Sequence, residues 1–144
     1  MLVFDTNILL YAIDPGSEPH QASRRMLDDA RIGPAPAYLT WNICYEFMRT
    51  TTHPRALPVP WRIDEALVFL RMLLDSPGFS LLRPTKRHQA VLAQTIAEVP
   101  DIRGNFVHDL HIAVLMREHG ISRICTRDTG FHRFPFLTVV DPLR

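Results

Sequence analysis

Short apolar runs alternating with longer amphipathic stretches constrain this chain more than any other feature it has. Leu2–Asp5, Pro36–Leu39, Phe79–Leu82, Arg123–Thr126 and the weaker Leu137–Val140 span only a few residues each, which predicts short buried strands. Helical spacing fills the intervals. A first helix runs to about Ala12 with Thr6 or Asn7 as its cap, and Asp14-Pro15-Gly16-Ser17 turns the chain. Ala22, Met26, Leu27 and Ala30 stripe a second helix from Glu18 to about Arg31, which Gly33-Pro34 ends. Thr40 caps a third to about Thr52, stopped by Pro54, and the proline-rich stretch Pro54–Pro60 reads as an extended loop. A fourth helix, from about Arg62 to Leu74, is expected to bury Ala66, Leu67, Leu70 and Leu74. Thr85 caps a fifth from Lys86 to about Val99, and Asn105 to His119 forms a sixth with Gly120 at its end. Such an order predicts an α/β fold: a parallel sheet covered on both faces. With 144 residues, no internal repeat and no linker, one domain over 1–144 is expected.

Composition bounds what that domain does. Apolar residues at 47% and charged residues at 22% are ordinary globular values, and the formal charge is +1. The cations are fifteen Arg and a single Lys, Lys86. Arg suits bidentate contact with phosphate or carboxylate, although a GC-rich coding sequence produces the same bias. No basic tail or charge run is present, so tight non-specific nucleic-acid binding is not expected. Cys44 and Cys125 sit far apart in apolar stretches and read as core thiols of a reducing compartment. No apolar run approaches about 18 residues and no leader precedes the first strand, so a cytoplasmic, non-membrane protein is expected.

Four carboxylates stand where such a domain would least tolerate an unpaired charge. Asp5 closes the run Leu2-Val3-Phe4, and Glu46 is the only acidic residue between Asp29 and Asp64. Asp109 lies inside an apolar helical pattern, and Asp128 follows Ile124-Cys125-Thr126. A buried carboxylate is costly unless paired, protonated or bound to a cation, so one shared divalent metal site would account for all four. Ligands in parallel sheets gather outside the carboxyl ends of the strands, where Asp5 and Asp128 meet if the first and fourth strands are neighbours. Asn42, Glu46, Arg49 and Thr50 share one helix face, as do Asn105, His108, Asp109 and Ile112. An all-oxygen set suits Mg²⁺ or Mn²⁺, which bind phosphate well.

Each acid also has an ordinary explanation. Asp5 caps the following helix, Glu46 pairs with Arg49, Asp109 is a solvated helix residue, or Asp128 opens an Asx-turn before Gly130. His108 and His111 lack the i, i+4 spacing of a helical zinc motif. Phe131, Phe134 and Phe136 either stack on bases or, the blander reading, close the core of the last loop.

Phe4-Asp5-Thr6-Asn7, Glu46, Gly104-Asn105 through Asp109 to Ile112-Ala113, and Thr126-Arg127-Asp128 with Phe131 resemble, in that order, the PIN-domain nucleases. The resemblance is to the VapC-type toxins of bacterial toxin–antitoxin pairs. It implies a PIN-like three-layer α/β/α fold with a parallel sheet of about five strands. The implied activity is an Mg²⁺- or Mn²⁺-dependent endoribonuclease, with RNA as substrate, a homodimer, and a VapB-type antitoxin that blocks the site. Asp5, Glu46, Asp109 and Asp128 match the catalytic acids, with Asp5, Asp109 and Asp128 as metal ligands. Thr6, Asn7, Asn105 and Thr126 match supporting positions, and Arg49 or Arg127 would hold phosphate. The inserted antitoxin is expected to place a cation beside the acids and to cover apolar surface at Leu9–Leu10 and Ala66–Leu74. Two departures stand out: Gly130 replaces an Asp common in the last motif, which argues against a second tightly held metal, and His111 replaces a small residue. Two other classes compete. A phosphatase with Asp5 as nucleophile lacks its second acid, since Asn7 stands there; a non-catalytic RNA- or protein-binding module would not need all four acids.

Overall fold

The computed structural model describes residues 1–144. Five strands form one parallel sheet: β1 (Leu2–Phe4), β2 (Ala37–Thr40), β3 (Phe79–Leu82), β4 (Arg123–Cys125) and β5 (Thr138–Val140). Six helices join them: α1 (Thr6–Ile13), α2 (His20–Ile32), α3 (Trp41–Thr51), α4 (Ile63–Leu74), α5 (His88–Glu98) and α6 (Phe106–Glu118). A 3₁₀ turn at Thr129–Arg133, not foreseen from the sequence, lies between β4 and β5. The spatial order is β3-β2-β1-β4-β5. The chain therefore winds outward from β1 to β3, then crosses back to lay β4 on the other side of β1, pairing Val3 with Ile124 and Phe4 with Cys125.

Burial explains these assignments. Val3, Phe4, Leu39, Ile124 and Cys125 are buried, as strands covered on both faces require. They belong to one core of 29 apolar residues that also takes Phe131 and Phe134 from the 3₁₀ turn and the residue after it. Those two rings are thus core, the blander of the two expectations. Gly78 is needed at the approach to β3, because a Cβ there would lie 1.8 Å from the Ala30 carbonyl oxygen.

Three local expectations are corrected. The cap of α1 is Asp5, whose side chain accepts from the Thr6 amide, rather than Thr6 or Asn7. Helix α5 starts at His88 after Arg87; Thr85, whose hydroxyl accepts from the Arg87 amide, stands two residues too early to be the helix cap. Helix α4 buries Ala66, Leu70 and Leu73, while Leu67 faces solvent, because α3 and β3 fix its rotation one residue away from the expected phase.

Candidate active site

The reversal of winding between β1 and β4 opens a crevice past their carboxyl ends, the usual ligand position in such sheets. Asp5 stands at its floor. Its amide donates to the Cys125 carbonyl at 3.0 Å, continuing the β1–β4 ladder by one residue. One carboxylate oxygen, Oδ1, accepts from the Thr6 amide at 2.8 Å, and Oδ2 accepts from the Thr126 hydroxyl at 2.7 Å. Thr126 is fully buried, and its Oγ1 also accepts from Asn7 Nδ2 at 3.1 Å and from the Asp128 amide at 3.0 Å. One hydroxyl thus ties the ends of both central strands together.

Asp128 opens an Asx-turn, its Oδ1 accepting from the Gly130 amide at 2.8 Å. Glu46 on α3 accepts from Arg49 Nε at 3.0 Å and from a terminal nitrogen at 2.5 Å. The ordinary explanations for Asp5, Glu46 and Asp128 are therefore present in the structure, and the same side chains also line one cleft. Caps and pairs do not compete with a shared site, because a carboxylate has about four acceptor directions.

Asp109 enters from the first turn of α6. A Cβ placed on Gly130 would lie 3.2 Å from both Asp109 Oδ2 and Asp128 Oδ1, so two acids from different elements close over this one glycine. Their electrostatics show the crowding. Burial, and then the charges of Asp128 and Asp5, push Asp109 up to about 7. Burial also raises Asp5, against the hydrogen bonds from Thr126 and Thr6, with Asp128 and Glu46 adding to the rise. Glu46 is held low, chiefly by the Arg49 hydrogen bond. Asn7 Oδ1 is buried there without any hydrogen-bond partner.

Raised carboxylates facing one another, with an unsatisfied carbonyl-type acceptor beside them, form a set that a hard divalent cation would satisfy. No three of the acids stand together at ligating distance. The residues present fit Mg²⁺ or Mn²⁺, with oxygen donors only.

The cleft has a volume of about 1020 Å³ and gathers Asp5, Thr6, Asn7, Glu46, Arg49, Asn105, Asp109 and Asp128. Thr126 lies beneath its floor. Arg127 is not part of the lining; its guanidinium turns to Asp141, with Nε 3.4 Å from Oδ1. Tyr45, Phe106 and His108 also line the cleft and were not singled out as site residues from sequence. For Tyr45 the signal was available: an aromatic ring next to the one acid of its helix.

The PIN domain profile matches residues 2–137, and the chain belongs to the PIN-domain family. Within it, the chain is similar to Ribonuclease VapC37 of Mycobacterium tuberculosis, at 35% identity covering 93% of this chain and 92% of the relative. The fold is shared with VapBC2 from Rickettsia felis, solved bound to a DNA fragment from its promoter, at 16% identity, 97% coverage of both chains and TM-score 0.68. It is shared too with the Mycobacterium tuberculosis Sarcin-Ricin loop cleaving toxin VapC20, at 17% identity, 92% and 93% coverage and TM-score 0.65.

Proposed function

We propose that this chain is a metal-dependent endoribonuclease, the toxin of a type II toxin–antitoxin pair. The observation that carries the reading is the meeting of Asp5, Glu46, Asp109 and Asp128, from four separate elements, in one cleft at the sheet's switch point. Relatives named as VapC ribonucleases support the activity. Asp5, Asp109 and Asp128 would hold an Mg²⁺ or Mn²⁺ ion, with the unpartnered Asn7 Oδ1 and Glu46 as further oxygen donors lining the same cleft. When bound, the cation supplies the positive charge that polarises a phosphodiester and favours deprotonation of the attacking water.

The chain's own groups do the positioning. Thr126 and the Thr6 amide fix the orientation of Asp5, and Asn7 braces the same hydroxyl. Arg49, at the rim, exchanges Glu46 for a phosphate oxygen. Asn105 at the head of α6 faces the same opening. Single-stranded or loop RNA is the expected substrate, since its phosphodiesters are reachable by in-line attack.

A VapB-type antitoxin is the expected partner, and toxin–antitoxin complexes among the solved structures that share the fold support it. A partner cation entering the acidic cleft would relieve its repulsion. Its apolar contacts would fall on Leu67, Val68 and Met72, which α4 leaves exposed beside a groove of about 410 Å³. This revises the expected footprint, because Leu9, Ala66, Leu70 and Leu73 are buried. A homodimer belongs to the same reading. One core running from Val3 to Phe134 supports a single domain. Two buried, unpaired thiols support a reducing, cytoplasmic setting, and no helix is long and apolar enough to cross a membrane.

The test is direct. RNA cleavage should require Mg²⁺ or Mn²⁺ and run poorly in Ca²⁺, whose longer contacts align water badly. Asp5→Ala or Asp109→Ala should lower it about 100-fold or more with the fold intact by circular dichroism. Full activity of metal-free protein in EDTA would overturn the mechanism.

A further inference from the structure

Tyr45 is two-thirds exposed on the same helical turn as Glu46 and lines the acidic cleft. Trp41, half exposed, lies one turn earlier, its ring 6.4 Å from that of Tyr45 and tilted by 59°. Trp41, Tyr45 and Arg49 fall at i, i+4 and i+8, so α3 carries an aromatic stripe that ends in a guanidinium at the rim. Two large exposed rings in contact form an apolar patch that ordinary surface statistics do not require. We propose that Tyr45, extended by Trp41, is a nucleobase-stacking subsite for the nucleotide beside the scissile phosphate. It rests on the ribonuclease reading above.

Charge is the reason such a subsite is needed. A floor of carboxylates repels RNA, and of the nearby arginines only Arg49, by giving up Glu46, can take a phosphate. Arg49 is paired with Glu46, Arg127 with Asp141, and Arg133 with the carbonyls of Pro100 and Asp101. Counterion release from phosphate contacts, the usual source of nucleic-acid affinity, is therefore small here. Stacking on an aromatic ring supplies affinity without cations and requires an unstacked base, which selects single-stranded RNA. Asn42, also lining the cleft, accepts the Thr40 hydroxyl with Oδ1, which leaves its Nδ2 to donate to a base edge. Phe106, also in the lining, is already engaged, stacked on Phe134 with ring centroids 5.1 Å apart and with the Arg133 guanidinium 4.0 Å from its ring centroid.

The experiment follows a short 5′-fluorescein-labelled single-stranded oligoribonucleotide by anisotropy, in Ca²⁺ so that it stays whole. Tyr45→Phe should bind within about twofold of the native protein, while Tyr45→Leu and Tyr45→Ala should bind at least about fivefold more weakly, the low end for one lost stack. The loss should persist at high salt, unlike a phosphate contact. An abasic residue at one position of the probe should weaken native binding by a like factor and add nothing further in Tyr45→Ala. Unchanged binding in Tyr45→Ala, with the variant's melting temperature preserved, overturns the subsite. So does a change confined to self-association in sedimentation, which would make the stripe a protein interface. Cleavage in Mn²⁺ and its loss in Asp5→Ala are scored separately. RNA that binds through Tyr45 but is never cut would uphold the stacking subsite and defeat the ribonuclease reading.

Discussion

Gly130 sits against two carboxylates. Its φ is not in the left-handed region, so an alanine meets no backbone strain; the constraint is space. The added Cβ would press on Asp109 and Asp128 oxygens at 3.2 Å, and one or both must shift by a few tenths of an ångström. Gly130→Ala should therefore fold normally and bind Mn²⁺ about tenfold more weakly, a change of about 1.4 kcal/mol, read by calorimetry. Unaltered affinity would mean that Asp109 and Asp128 do not share an ion. The absence of a carboxylate at this position also predicts one well-held ion; two equally tight sites in the native protein would contradict it.

At the scale of elements, α6 is the part that aims Asp109. Leu110 and the run from Ile112 to Met116 are buried, so the helix is held on nearly every side. Its far end is anchored by Glu118, which accepts from the Thr85 amide and hydroxyl, each at 2.7 Å, and contacts His88 Nδ1 at 2.5 Å. Burial raises the Glu118 carboxyl, yet the Thr85 and His88 hydrogen bonds outweigh it and the net shift is downward. Glu118→Ala strands those donors and should cost about 2–4 kcal/mol. Thermal melting should fall by about 5–15 °C at neutral pH. Because the folded carboxyl is held below its ordinary 4.5, its stabilisation is full above 4.5 and is lost as pH falls through the lower value. The gap between native and variant should narrow in acid. A gap that stays constant would assign the loss to packing instead of the charged network.

For the whole molecule, the metal-free cleft is a source of instability. Asp109 has a folded value of about 7 against an ordinary 3.8, and Asp5 is shifted the same way. A raised carboxyl binds its proton more tightly when folded. Its effect on stability is most favourable below 3.8, weakens as pH rises, and levels off above about 7. Asp109→Asn removes that penalty. In EDTA above neutral pH the variant should be more stable by on the order of 1–2 kcal/mol, discounted because the site is half exposed, or a few degrees in melting temperature. The advantage should vanish below 3.8, and Mn²⁺ should restore the native protein more than the variant. A variant less stable than native in EDTA at neutral pH would refute this electrostatic account.

Much of this was legible before any coordinates. Short apolar runs are readable as strands because a doubly covered strand leaves no polar face, and the acids stood out because each sits in or beside an apolar run. Resemblance in motif order then placed them in one family. Rotation of α4 about its axis was misread, since Leu67 and Leu73 are equally apolar and only packing chooses between them. The 3₁₀ turn went unseen because it is held by Phe131 and Phe134 entering a core built from distant segments. Arg127 looked like a rim cation until its partner Asp141, fourteen residues on, came into view. The sequence alone determined the strands and the six helices and singled out the four carboxylates proposed to share one site, because periodicity and acids set in apolar runs are local properties. Only the tertiary structure decided that β4 lies against β1, which brings Asp5 to Thr126 across 121 residues. Strand order depends on how all the helices share two faces of one sheet, and no local interaction encodes that.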